Sequence, residues 1–190
     1  MTKKTQVRYS IGIIALHWLM FVLMFAVYAF IDLRELFPKG SDPRETMKAL
    51  HFMFGLSVLL LVLPRIVMRI FQVSPPITPQ PPAWEETMAK LTHLLLYLFM
   101  LIMPMLGWLT LSAAGKPIPF FGLQLPALLG EDKDLAKIIK EIHETVGEIG
   151  YYLIGLHVLA AWFHHVKQRD NTLTRMLPGR KHTPRSQDQS

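Results

Sequence analysis

The 190 residues include no cysteine, which removes disulfides, thiolate metal sites, cysteine-ligated iron–sulfur clusters and thioether-attached haem from the chemistry open to this chain. Any metal must be held by nitrogen, by oxygen or by methionine sulfur. Charge is also scarce, at 18% against 51% hydrophobic residues, and the shortage is local. Residues 11–31 and 91–114 carry none of it, with Asp32 and Lys90 lying just outside the two runs. About 20 apolar residues at about 1.5 Å rise each cross the roughly 30 Å of bilayer hydrocarbon, so these runs exclude a water-soluble globule. Nucleic acid is not an expected partner; membrane lipid is.

Two less pure segments complete the count. Residues 49–64 are uncharged and continue through Arg65 and Arg69 to Phe71, and residues 149–166 are uncharged behind a charged, helix-favouring stretch that starts at Asp132. The expectation is one all-α domain over 1–190, an integral membrane four-helix bundle with spans at about 11–31, 49–71, 91–114 and 140–166 and a polar tail at 179–190. Pro64 and Pro104 fall inside the second and third helices, where a bundle tolerates a lost hydrogen bond if neighbouring groups satisfy the freed carbonyl. The first span is too long for a cleaved signal and reads as a retained anchor. Twelve basic residues flank the side that holds both termini and eight flank the other, which predicts cytoplasmic termini. Residues 74–84, with five prolines, read as a stiff connector, and residues 115–122 as a turn on the outer side.

Seven of the eight histidines lie within or at the ends of the predicted helices. Ionisable side chains are costly in a bilayer and face a bundle interior or a cofactor there. Steps of four and three from His143 pass through Gly147, Gly150, Ile154, His157, Ala161 and His164, a single helix face. Each glycine costs roughly 1 kcal/mol against alanine in a helix, so the pair between the histidines suggests that something bulky and flat approaches the backbone. His143 and His157 are separated by about 21 Å along the axis, which suits two centres rather than one. His17 matches His157 in depth near the inner face, and His51 matches His143 near the outer face. Two neutral imidazoles facing each other across a bundle are the ligand set of bis-histidine haem. Zinc would need third and fourth ligands, and no Asp or Glu falls in the central part of any span.

His17-Trp18, His51 with Gly55, His93 with Tyr97, and the run from Ile142-His143-Glu144 through His157 and His164-His165 to Asp170 and Pro178 resemble the bacterial cytochrome b561 family over nearly the whole chain. The resemblance implies a bundle enclosing two haem b groups with His17, His51, His143 and His157 as iron ligands, in the bacterial inner membrane. It also implies an oxidoreductase that exchanges electrons with ubiquinone, as membrane superoxide oxidases do with electrons taken from superoxide. Two other readings stay open: a haem b anchor subunit that passes electrons from a peripheral dehydrogenase or hydrogenase to quinone, and a histidine-lined metal or proton transporter without haem. A homodimer is neither required nor excluded.

Other residues carry paired readings. His93 is a propionate partner or an interfacial residue. Arg65 and Arg69 either snorkel to the inner interface or bind haem propionates. His164 lies about 10 Å beyond His157 toward the inner side, where a histidine beside a quinone carbonyl delivers a proton in catalysis or simply marks the water interface. Arg44 and Lys48, with Lys133, Lys137 and Lys140, would attract a small anion to the outer face, although Glu131, Asp132, Asp134 and Glu141 offset them.

Overall fold

The computed structural model describes residues 8–179, so most of the polar tail placed at 179–190 lies outside the described residues. Four long helices dominate: α1 (Ile11–Leu33), α2 (Asp42–Phe71), α3 (Ala83–Ala113) and α4 (Lys133–Phe163). All four are long and apolar enough to cross a membrane, and the mostly helical four-helix membrane bundle expected from the apolar runs is the observed architecture.

Three helices begin earlier than the apolar runs do. The reason is that burial in hydrocarbon and helix formation have different limits, and a cap or a first-turn proline lets a helix start in polar surroundings. α1 starts with its apolar run, and there Ser10 Oγ accepts from the Ile13 N–H at 3.4 Å. Asp132 Oδ1 accepts from the N–H groups of Asp134 and Leu135 at 3.1 and 3.0 Å at the start of α4, and Pro43 occupies the first turn of α2, where its missing N–H costs nothing. Pro64 and Pro104 lie inside α2 and α3. Beyond Phe163, α4 continues as one π-helical turn, His164–Gln168, and ends at Arg169 with φ +54°.

The connection expected to be a plain turn at 115–122 is instead part of a small antiparallel hairpin, β1 (Ile118–Phe120) paired with β2 (Leu123–Leu125). Ile118 fills a cluster with Leu56 and Leu111, and Gly122 at φ +85° supplies the left-handed turn that L-residues disfavour. The main core, Met20, Leu23, Val58 and Val62, joins α1 to α2, with Tyr97 and Met100 of α3 packed on it.

Helix α1 packs on α2, α2 on α3 and α3 on α4. The remaining seam, between α1 and α4, is bridged by side chains: Tyr28 Oη donates to the Gly147 carbonyl at 2.8 Å and Tyr151 Oη to Asp32 Oδ2 at 2.7 Å. The two ends of the described segment are tied together at one end of the bundle, where Trp18 Nε1 donates to the Met176 carbonyl at 2.7 Å. We call this the terminal end and the other the hairpin end. The proline-rich connector is docked at the terminal end: the Thr78 N–H donates to Asn171 Oδ1 at 2.9 Å, and Arg175 Nη1 donates to the Pro75 carbonyl.

Candidate functional site

Two histidine pairs form, one toward each end. Near the terminal end, His17 of α1 and His157 of α4 stand with ring centres 6.3 Å apart. His93 of α3 lies 5.3 Å from His157 and hydrogen-bonds through Nδ1 to the Ala89 carbonyl one turn back at 2.6 Å. Arg65 of α2 reaches into the same cluster. Its Nη2 is 2.9 Å from His17 Nδ1, its guanidinium lies over the Tyr97 ring at 5.9 Å, and its Nη1 is buried with no partner.

Near the hairpin end, His51 of α2 and His143 of α4 have ring centres 6.2 Å apart. His51 Nδ1 hydrogen-bonds to the Val27 carbonyl at 2.9 Å; since only the N–H form can donate to a carbonyl, Nε2 is left as the free nitrogen. His143 Nδ1 is buried without a partner among the described residues. A cavity of about 650 Å³ opens beside this pair, bordered by Gly55, Gly107 and Gly147. A Cβ on Gly55 would meet nothing within 4 Å, and one on Gly107 would stand 3.4 Å from His143 Cε1. Gly150 serves the packing instead, because a Cβ there would overlap both Tyr28 Oη and the Phe99 ring. The flat group pressed against that glycine is an aromatic side chain.

Both separations suit a single metal between two imidazoles. With metal–nitrogen bonds of about 2 Å and about 1.1 Å from each nitrogen to its ring centre, facing rings stand a little over 6 Å apart. The 5.3 Å between His93 and His157 is too short for that, so His93 is a neighbour of the pair and not a ligand opposite His157. Among the described residues no three His, Asp or Glu side chains gather into a metal cage. With two imidazoles at each pair, a planar tetrapyrrole would supply the remaining donors to a metal, and two of the four buried polar atoms without a partner among the described residues, Arg65 Nη1 and His143 Nδ1, lie at these pairs, where such a guest could satisfy them.

These residues match a known family along the same stretch that the structure describes, with prokaryotic cytochrome b561 aligning over residues 8–179. The chain belongs to the prokaryotic cytochrome b561 family. It is 39% identical over 174 residues to cytochrome b561 homolog 1 of Escherichia coli (strain K12), covering 92% of this chain and 99% of that protein. It is 34% identical over 174 residues to the probable superoxide oxidase CybB of Yersinia pestis, covering 92% and 98%. A second Escherichia coli (strain K12) protein, cytochrome b561 homolog 2, is 28% identical over 176 residues, covering 91% and 93%. As a member of this cytochrome b561 family, the chain is a multi-pass membrane haem protein that works with b-type haem in electron transport.

Within this b561 chain, the two arginines singled out by sequence are separated. Arg65 enters the histidine cluster, whereas Arg69 is exposed and its Nη1 donates to Ser74 Oγ. Arg44, expected among the cations that attract an anion, is buried at 7% exposure. Its guanidinium donates to both Glu35 carboxylate oxygens and to the carbonyls of Arg34 and Phe37, so it holds the turn after α1 and presents no charge to solvent. Lys48, Lys133, Lys137 and Lys140 border the cavity together with Lys116. Of these, Lys48, Lys133 and Lys140 pair with Glu45, Glu131 and Glu144.

His164 stands at the terminal end inside a cluster that sequence reasoning did not assemble. Its Nδ1 lies 2.6 Å from Asp170 Oδ2 and its Nε2 lies 3.9 Å from Glu85 Oε2. Gln168 Nε2 donates to both Glu85 oxygens at 3.0 and 2.9 Å. Burial alone would push the Asp170 carboxyl up, but the Thr172 N–H at 2.8 Å and the His164 ring hold it below the usual carboxylate range. The signals in sequence were an acid in the first turn of α3 and an acid six residues after His164. Neither spacing is helical, so neither stood out.

Proposed function

We propose that this cytochrome carries two haem b groups and passes electrons from superoxide on the outer side to ubiquinone. The observation that carries this reading is the duplicate geometry, two imidazole pairs of nearly equal separation at opposite ends of one bundle. His17 with His157, and His51 with His143, would hold the two haems. Held in this way by two histidines, the haem would supply single-electron exchange.

The remaining roles belong to the chain. Val27 fixes the tautomer and orientation of His51 through its carbonyl, as outer partners of metal-bound histidines do. Arg65, whose Nη2 lies 2.9 Å from His17 Nδ1, would bind an anionic group of the haem held by His17. Lys116 and Lys137 at the hairpin-end cavity attract a small anion, and His164 gives a proton to the quinone near the inner pair. Support for superoxide as the donor comes from the 34% identical relative.

The test is a haem-to-protein ratio on the purified protein together with stopped-flow mixing with superoxide. A ratio near two, low-spin spectra indifferent to carbon monoxide, and haem reduction within the mixing experiment are expected. A ratio near one removes the two-haem scheme, and absent reduction removes superoxide as the donor.

A further inference from the structure

His164 is held between two carboxylates in unequal settings. Asp170, from the segment after α4, has a side chain only 1% exposed. One of its oxygens is occupied by the Thr172 N–H and the other by His164 Nδ1. Among the described residues its side chain is almost closed to solvent, a poor entry for a proton. Glu85, from the first turn of α3, is 14% exposed and is oriented by Gln168, which holds both oxygens from the π-helical turn. It faces the other ring nitrogen across 3.9 Å, beyond hydrogen-bond range but within reach of a side-chain rotation or one water. With Nδ1 committed to Asp170, Nε2 is the nitrogen through which His164 exchanges a proton.

We infer that Glu85 reloads His164 with protons drawn from the water at the terminal end, while Asp170 is a positioning residue that fixes the ring. The inference rests on the proposed role of His164 in quinone reduction and assigns its proton source. Reducing one quinone to quinol consumes two electrons, released as two superoxide anions become dioxygen, and two protons. In each delivery the Nε2–H bond breaks as a quinone O–H bond forms, leaving neutral imidazole. The Glu85 carboxyl O–H bond then breaks as Nε2–H re-forms, and the carboxylate regains its proton from water.

The experiment follows reoxidation of the dithionite-reduced cytochrome by a short-chain ubiquinone in detergent, in wild type, Glu85→Ala, Glu85→Gln and His164→Ala. Both Glu85 variants should keep the haem spectra and the KM for quinone and lose about 10-fold to 100-fold in kcat, in line with removal of a general-acid pathway. Added formate or acetate should restore much of the Glu85→Ala rate, because a small weak acid can occupy the vacated space and carry the proton. Glu85→Gln keeps the Gln168 contact and so separates lost packing from a lost proton. An unaltered kcat in Glu85→Gln overturns the inference, and so does a slow Glu85→Ala that no weak acid accelerates. If His164→Ala is itself as fast as wild type, the quinone role of His164 fails first; if His164→Ala is slow and Glu85→Gln is not, only the relay fails.

Discussion

At the scale of single residues, the four proposed ligands differ in how firmly the protein holds them. His51 is tied to the Val27 carbonyl, whereas His143 Nδ1 has no partner among the described residues and His17 Nδ1 faces a guanidinium. Changing His17 or His157 to Ala should remove one haem component from the optical spectrum, and changing His51 or His143 the other. Loss of the same component from His17→Ala and His51→Ala would show the pairing to be wrong. Asp170 offers a separate test. Its depressed pKa means that its contribution to stability is present above the ordinary carboxylate range and is lost as pH falls through the folded value. Asp170→Asn removes that pH-dependent part while keeping an acceptor for Thr172. Thermal unfolding midpoints of wild type and Asp170→Asn should differ near neutral pH and converge as the medium is acidified below the carboxylate range.

At the scale of the elements, α4 is the organiser, since it carries a ligand of each proposed pair and leads directly into His164. Its glycines are not equivalent. Gly150 sits against Tyr28 and Phe99, and Gly155 faces open space. Gly150→Ala should therefore lower stability by about 1–3 kcal/mol through overpacking and loosen the α1 to α4 seam that Tyr28 bridges. Gly155→Ala should raise stability by up to about 1 kcal/mol from helix propensity. Chemical or thermal unfolding in detergent checks both, and equal effects at the two positions would refute this division. The four helices were legible in sequence because apolar runs of bilayer length have no competing explanation. The helix-favouring extension from Asp132 into the fourth span was legible as well; the starts of α2 and α3 and the 118–125 hairpin were not, because helix ends and two-strand pairing depend on a few local residues that no periodicity announces.

For the whole molecule, the four helices together place both ends of the described chain at one face of the bundle, and the excess of basic residues on that side predicts that it is cytoplasmic. Reporter fusions after Ser190 and near Gly115 should show opposite sidedness, the first cytoplasmic; a cytoplasmic Gly115 would exchange the faces given to the two histidine pairs. At the hairpin end the cavity rim mixes lysines with Asp32, Glu144 and Glu148, so steering of superoxide should be modest. Its rate of haem reduction should fall with added salt by several-fold rather than by orders of magnitude, and Lys137→Ala should reduce that dependence.

The order of residues by itself determined that this chain spans a membrane four times, that the nitrogen ligands available within its spans are histidines, and that these fall at two depths. Hydrophobic run length and helical rise are one-dimensional quantities, readable without knowing what packs on what. Only the tertiary structure decided which rings face each other at about 6 Å, that His93 crowds His157 without opposing it, that Arg65 enters the cluster while Arg69 and Arg44 are engaged elsewhere, and that Glu85 and Asp170 meet on His164. Those facts depend on the rotation of each helix about its axis and on contacts between segments far apart in the chain, such as Glu85 with Gln168, and rotation is set by packing against neighbours that a single run of sequence does not contain.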